Sequence, residues 1–417
     1  MRRKCKLFFL VASLTIMIFM LTPKQQTTFL ETEDDTDNEV IPTEECWLPI
    51  ENDSGRKVDQ IKSEFKRRRG LSNSTKVVLL YTGLFFSPYW WGKNEKQIQK
   101  YTHDKKCEIR DCHFTYRKNT LQVADLVIFH GVDLNKPYCI RKISERRPDN
   151  QKWLLFMHES PVYTNNLNKY NRIFNWTMTY MQKSDIYVPY FSYQTLTKHS
   201  EVQGFEKNFA EGKEGKVVWV VSHCGLLRDD YVLELQRYID VTVFGDCSSK
   251  FKKGMGRCND WGTFCEEEIK RYKFYLAFEN CFCEDYITEK YWEKGLKYGL
   301  IPIVMGAISG KSKVIPNSYI DVNNFQSIQE LAAYLSYLDK NDTAYNEYFK
   351  WRYHYEVNNN IDALCEVCKA VHDRSRQPFV YRNIGKFWSK KLNCDPHQWK
   401  VDHIKMQISK SKFRFNT

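Results

Sequence analysis

The densest group of residues able to do chemistry lies between Glu279 and Lys290. Glu279-Asn280 leaves an apolar run, Asp285-Tyr286 follows in a polar stretch, and Thr288-Glu289-Lys290 stands where a helical pattern opens. Free backbone N–H groups at a helix start, together with the Lys290 ammonium, suit a diphosphate. Glu289 can accept hydrogen bonds from sugar hydroxyls. For an isolated Thr-Glu-Lys tripeptide the plainer reading is a helix cap with a surface ion pair. A second candidate is Glu159, just beyond the apolar run Trp153 to Met157 and two residues before the stiffening Pro161. A carboxylate there can take a proton from a hydroxyl. His158 is a rival base, and capping of a turn is the plainer role for Glu159. No G-x-G-x-x-G loop and no full G-x-x-x-x-G-K-[ST] loop occurs, since Gly310-Lys311-Ser312 has Met305 where the first glycine would stand, which speaks against an NAD enzyme or a P-loop transferase. Cys365-Glu366-Val367-Cys368 has redox or half-zinc spacing, yet no second C-x-x-C or His pair accompanies it, so a structural disulfide is favoured.

Short apolar runs must position these groups. Val77 to Tyr81, Leu126 to Phe129 and Trp153 to Met157 read as buried strands separated by polar helical stretches. The charged, glycine-bearing segment Gln203 to Lys216 reads as a boundary. A second series follows: strand Val217 to Val221, helix Asp229 to Tyr238, strand Val241 to Gly245, strand Phe274 to Phe278, helix Thr288 to Tyr298 stopped by Gly299, and strand Ile301 to Met305. Strands alternating with helices imply α/β architecture with parallel sheets, here two doubly wound halves facing a cleft. Ligands of such sheets bind beyond the carboxyl ends of the strands, where Glu159 and the 279–290 segment fall.

The chain of 417 residues, 42% hydrophobic and 15% aromatic, suits two domains with sizeable cores. A formal charge of +12 is scattered, and no zinc finger, RNA-recognition signature or basic stripe appears, which excludes nucleic acid as the expected partner. Arg2, Arg3, Lys4 and Lys6 precede an apolar run from Leu7 to Leu21, and Thr22-Pro23-Lys24 offers no signal-peptidase site. This predicts a cytoplasmic tail over 1–6, a single uncleaved transmembrane anchor over 7–22 and a lumenal remainder. The polar stretch 23–75, acidic from Glu31 to Glu39 and basic from Lys66 to Arg69, reads as a solvated stem. Four Asn-x-Ser/Thr acceptors, at Asn52, Asn73, Asn175 and Asn341, and 13 of the 14 cysteines follow the anchor, as an oxidising lumen would have it.

Phe274 to Asn280, Asp285 to Lys290 and Ile301 to Gly306 together resemble the donor-site signature of the α1,3/4-fucosyltransferases, glycosyltransferase family 10. Glu159-Ser160-Pro161, Phe174 to Tyr180 with Ser184 to Tyr190, and Trp219 to Ser222 with Cys224 match in order, so the resemblance spans Lys76 to Arg382. It implies a GT-B fold with an acceptor-side Rossmann-like domain over 76–210, a GDP-fucose-binding one over 211–385 and a C-terminal tail over 386–417. It implies inverting transfer of L-fucose from GDP-β-L-fucose in α1,3 linkage to N-acetylglucosamine of glycoprotein glycans, by a single-pass type II protein of the Golgi membrane. The N-glycan core is the favoured acceptor, on the Met305-Gly306-Ala307 ending and the Cys365/Cys368 pair; Lewis-type or LacdiNAc acceptors, or a non-catalytic lectin-like homologue, are the alternatives. By the same resemblance Glu159 is the general base, and Arg228, Tyr286, Glu289 and Lys290, with Asn280, Ser222 and Tyr190, contact the donor. No metal is obligatory, although Mn or Mg can stimulate. The chain departs from the family pattern at His223, Phe191 and Cys281, where Asn, Gly and Ser are common.

Overall fold

The apolar runs of the first half emerge as β1 (Lys76–Leu80), β2 (Cys112–Thr115), β3 (Leu126–His130), β4 (Lys152–Met157), β5 (Trp176–Thr179) and β6 (Ile186–Tyr187). In this computed structural model they pair in parallel in the order β2-β1-β3-β4-β5-β6. The structure describes residues 58–414 except 106, 135, 165, 197–206, 257–262, 309–312, 359–360 and 377–378. After β7 (Ser192–Thr195), the second sheet holds β8 (Gly215–Val220), β9 (Val241–Phe244), β10 (Tyr272–Phe278), β11 (Ile301–Met305) and β12 (Ile320–Asp321). Its order is β12-β11-β10-β8-β9, again all parallel. A late strand, β13 (Tyr355–Asn358), pairs antiparallel with β7.

Both sheets have one winding: the first strand of each lies between its second and its third. The chain therefore reverses its direction of travel between β1 and β3, and again between β8 and β10, and each reversal opens a crevice at the carboxyl ends. The strands are continuous apolar runs because helices cover both faces. Val77 to Leu79, Leu126 to Phe129 and Trp153 to Met157 are wholly buried. The expected α/β architecture with parallel sheets is what forms.

Three expectations need correction. The basic end of the expected stem is folded, because Val58–Arg68 is an amphipathic helix whose Phe65 packs against the core of the first sheet. Its polar side is tied down by Lys62 to Asp125 at 2.6 Å and by Arg69 to Glu95 at 2.8 Å. The chain also does not remain with the second sheet up to residue 385. Helix Ala363–His372 buries Leu364 and Val367 against Val78, Leu80 and Phe114 of the first sheet, and Ile384 and Trp388 join the other face. Nor is 386–417 a tail: helix Gln398–Arg414 returns to the second half, placing Ile404 and Ile408 in its core.

Cys365 and Cys368 are both disulfide-bonded, each to a partner in the first half: Cys107 to Cys365 and Cys112 to Cys368. One helical turn apart, they share a helix face and staple it to the sheet rather than bonding to each other. His372 lies near Cys112 and Cys368, but both sulfurs are already spent and cannot ligate a metal. Cys224 to Cys247 and Cys283 to Cys394 are the other described bridges. Among the described residues no helix is long and apolar enough to cross a membrane; the expected anchor, 7–22, and Asn52 lie outside them.

Candidate active site

Glu159 leaves the carboxyl end of β4 and is 5% exposed. Its Oε1 accepts the backbone N–H of Ser160 at 2.8 Å and the phenol of Tyr286 at 2.8 Å. Its Oε2 has no hydrogen bond to any described residue. Tyr286 belongs to the second half, so this carboxylate stands at the junction of the two sheets. The loop bearing Tyr286 is anchored locally: Asp285 takes a left-handed φ of 58° and accepts from the backbone and side-chain amides of Gln182 at 2.9 and 3.1 Å. The bridge Cys283 to Cys394 and the ion pair Lys183 to Glu284 at 2.9 Å hold the same loop against the first half.

His158, the rival base, is engaged elsewhere. Its Nε2 lies 2.6 Å from the carbonyl of Val188, so that nitrogen carries the proton, and Nδ1 is buried without a partner. Burial drives its pKa down from 6.5 to about 4, keeping the ring neutral. Tyr190 stacks on that ring at 4.7 Å and donates its hydroxyl to the His158 carbonyl, making it a wall of the site with its polar tip occupied.

Across the junction, the crevice between β8 and β10 holds Arg228 at the start of helix Leu227–Leu235. The preceding loop is shaped by Gly225 at φ +88°, whose N–H donates to Asp229 at 2.7 Å, and by the Cys224 to Cys247 bridge. The guanidinium is 5% exposed and donates to the carbonyls of Phe278 and His223 at 2.7 and 3.0 Å. Its Nε is buried and unpartnered, and no carboxylate of the described residues lies within ion-pair distance. Burial lowers its pKa below the usual arginine value, with Glu279 opposing. Ser222 is exposed on this loop.

Lys290 is not the free cation the sequence suggested. Its Nζ bonds Thr288 Oγ1 at 2.8 Å, Glu289 at 3.1 Å and Glu279 at 3.1 Å. Burial pulls its pKa down, but the two carboxylates outweigh that and leave it raised. The same ammonium, acting against burial, holds the Glu289 carboxyl below its usual range. Glu279 is more deeply buried, and desolvation pushes it up in spite of Lys290. The backbone N–H of Thr288 is likewise taken, donating to Glu279 at 2.9 Å. Glu279 is the site residue that sequence reasoning left out, although a carboxylate ending an apolar strand was the available signal. Asn280, next to it, keeps its Oδ1 buried and unpartnered, while its carbonyl accepts from Tyr163 at 3.1 Å. Cys281 is a free thiol whose pKa burial pushes up to about 12.

Among the expected glycosylation sites Asn73 is exposed and Asn341 half-buried as a helix cap. Asn175 is a correction. It is 4% exposed, and its amide accepts from Trp153 N at 2.8 Å and donates to Phe379 O at 2.8 Å, so the folded chain has no room for a glycan there.

Fold and site together define a two-sheet α/β protein that sets a carboxylate with one bare oxygen beyond a strand of its first sheet and a buried, carbonyl-held guanidinium beyond a strand of its second. Residues 73–191 match the fucosyltransferase N-terminal model, and 210–388 match glycosyltransferase family 10 (fucosyltransferase) C-term. The chain is 35% identical over 79% of its length to a Drosophila melanogaster glycoprotein 3-alpha-L-fucosyltransferase A, of which it spans 63%. It is 30% identical over 72% of its length to an alpha-(1,3)-fucosyltransferase of Caenorhabditis elegans, spanning 68% of that protein. It is 34% identical over 67% of its length to a human 3-galactosyl-N-acetylglucosaminide 4-alpha-L-fucosyltransferase, spanning 75% of it. The chain belongs to glycosyltransferase family 10, the fucosyltransferases.

Proposed function

We propose that this chain transfers L-fucose from GDP-β-L-fucose, with inversion, in α1,3 linkage to N-acetylglucosamine of a glycoprotein glycan. The observation that carries the reading is the bare Oε2 of Glu159 at the junction of the halves, with Oε1 fixed by Tyr286. Inversion of a β-linked donor to an α product is a single displacement from the opposite face. Glu159 Oε2 takes the proton of the acceptor hydroxyl as oxygen bonds to C1 of fucose and GDP leaves. Arg228 supplies fixed positive charge for the departing diphosphate, in a site dry enough for that charge to count. Lys290 joins only by exchanging a carboxylate partner for a phosphate oxygen; Glu289, Asn280, Ser222 and Tyr190 complete the donor pocket. No step requires a metal, and Mn or Mg acts at most as a stimulant.

A glycoprotein acceptor accords with the name of the Drosophila relative, a glycoprotein 3-alpha-L-fucosyltransferase, and the N-glycan core is the acceptor we favour among glycoprotein glycans. A Golgi location with a lumenal catalytic part and an anchor over 7–22 fits the disulfides of the described chain. The test incubates the full chain in detergent with labelled GDP-fucose and a panel of core, LacNAc and LacdiNAc acceptors, with and without EDTA. Transfer of fucose to a core glycan at the 3-position, undiminished by EDTA, is expected. Equal turnover of GDP-mannose or UDP-galactose, or no transfer to any acceptor, would overturn the assignment.

A further inference from the structure

The carboxyl edge of the first sheet carries a feature that the chemistry above does not use. Immediately after β1 the backbone makes a tight turn, with Leu84 N donating to Ser87 O at 2.8 Å and Ser87 N to Leu84 O at 3.0 Å. Its two central residues, Phe85 and Phe86, both have left-handed φ, 48° and 66°. A turn of this kind favours Asn-Gly, and each bulky residue held there costs on the order of 1–2 kcal/mol. Gly83 just before it is obligatory, because a Cβ would sit 2.2 Å from Ser87 O.

The surrounding residues enforce this conformation. Phe86 N–H donates to Asp133 Oδ1 at 2.8 Å, and the Phe85 ring lies edge-on to His130 at 4.5 Å. Trp90 Nε1 donates to Thr82 O at 2.8 Å, and Tyr116 receives the N–H groups of Trp90 and Trp91. His130 is wholly buried, bonds Asp133 through Nδ1, and leaves Nε2 unpartnered. The result of all this fixing is a Phe86 ring that is 82% exposed, with Tyr89, three residues on and edge-on to Tyr116 at 5.6 Å, 41% exposed. Neither strain nor exposure of that ring gains anything for the core.

The turn occupies the crevice between β1 and β3, where the first sheet reverses. Glu159 leaves β4, the next strand after β3, so it lies two strand spacings away, about 10 Å along the sheet edge. Packed rings run from the turn to the residue before Glu159: Phe85 to His130, His130 to Phe156 at 5.7 Å, and Phe156 to His158 at 5.1 Å. We propose that Phe86, with Tyr89, forms an aromatic shelf for the sugar of the acceptor glycan next to the N-acetylglucosamine whose hydroxyl meets Glu159. This rests on the fucosyl-transfer reading. A neutral aromatic face suits the C–H face of a pyranose, and strained backbone held in place by its surroundings concentrates at ligand-binding sites.

The experiment measures glycan binding by ligand-observed NMR on the full chain in detergent, with methyl β-N-acetylglucosaminide and an N-glycan core oligosaccharide as probes. Glycine is the natural residue at φ +66°, so Phe86→Gly removes the ring while relaxing the backbone. Affinity for the oligosaccharide should fall at least about fivefold, that for the monosaccharide should not change, and Tm should hold or rise. Phe86→Trp should retain oligosaccharide binding, and Tyr89→Ala should weaken it. Unchanged oligosaccharide binding in Phe86→Gly, equal loss with both probes, or no oligosaccharide binding by the wild type would each overturn the shelf. Fucose transfer is assayed separately: a wild type that binds the oligosaccharide through Phe86 yet transfers no fucose leaves the shelf standing and removes the catalytic reading.

Discussion

The phenol of Tyr286, on the second half of the molecule, donates to Oε1 of Glu159, on the first, at 2.8 Å. The Tyr286 loop and the candidate base are thereby joined by one hydrogen bond, and Oε2 keeps no hydrogen-bond partner among the described residues. Tyr286→Phe should therefore lower kcat about tenfold through loss of positioning, with a smaller change in the KM for acceptor. Steady-state kinetics with both substrates varied would show it; an unchanged kcat would mean that the hydrogen bond only closes the interface.

Replacing the base itself should be more severe. Glu159→Gln keeps the shape and the Tyr286 contact, so the fold and GDP-fucose binding should persist while kcat falls by at least about a hundredfold. A near-normal kcat in Glu159→Gln, with His158→Gln inactive, would move the role to His158.

Arg228 and Lys290 should fail in different ways. Arg228→Ala should raise the KM for GDP-fucose at least about tenfold, and Arg228→Lys should not restore it, because a single ammonium cannot span the Phe278 and His223 carbonyls as the planar fork does. Lys290→Ala strands Glu279, which is 6% exposed, and should cost about 2 kcal/mol of stability besides weakening donor binding. Adding Glu279→Gln to Lys290→Ala should recover part of the Tm, measured by thermal unfolding. A Tm unaffected by Lys290→Ala would show that Glu279 is adequately held by Thr288 alone.

His158 sets a pH dependence of stability. Its pKa falls from 6.5 to about 4 on folding, so between those values the unfolded chain binds a proton that the folded chain does not. Its contribution is full above pH 6.5 and is lost as pH falls toward 4, about 3 kcal/mol in all. Denaturant titrations across that window should show the decline, and His158→Gln should flatten it. A slope equal to wild type in that variant would assign the decline to other groups.

Glycan mapping by mass spectrometry of the chain expressed in insect cells should find Asn73 modified and Asn175 bare. Substantial occupancy of Asn175 in active protein would contradict the burial of its amide.

The chain by itself determined the two parallel sheets, because strands buried on both faces must be written as unbroken apolar runs such as Val77 to Leu80 and Phe274 to Phe278. It also marked candidate chemistry, since Glu159 and the 279–290 segment follow the carboxyl ends of strands, whereas Arg228 entered through the family resemblance. Local sequence could not say which partner each charge would choose. Lys290 and Thr288 N–H, legible as diphosphate ligands, are claimed by Glu279, because a carboxylate buried at the end of β10 must find donors within reach. The partners of Cys365 and Cys368 lie 258 and 256 residues away, and only the packing of the late helix under the first sheet brings them together. The same holds for Asn175, a sequon in the sequence and a fully bonded core amide in the fold. Tyr286 meeting Glu159 across 127 residues is a contact of two separate sheets; periodicity and local motifs describe each sheet, and only their docking decides what faces what.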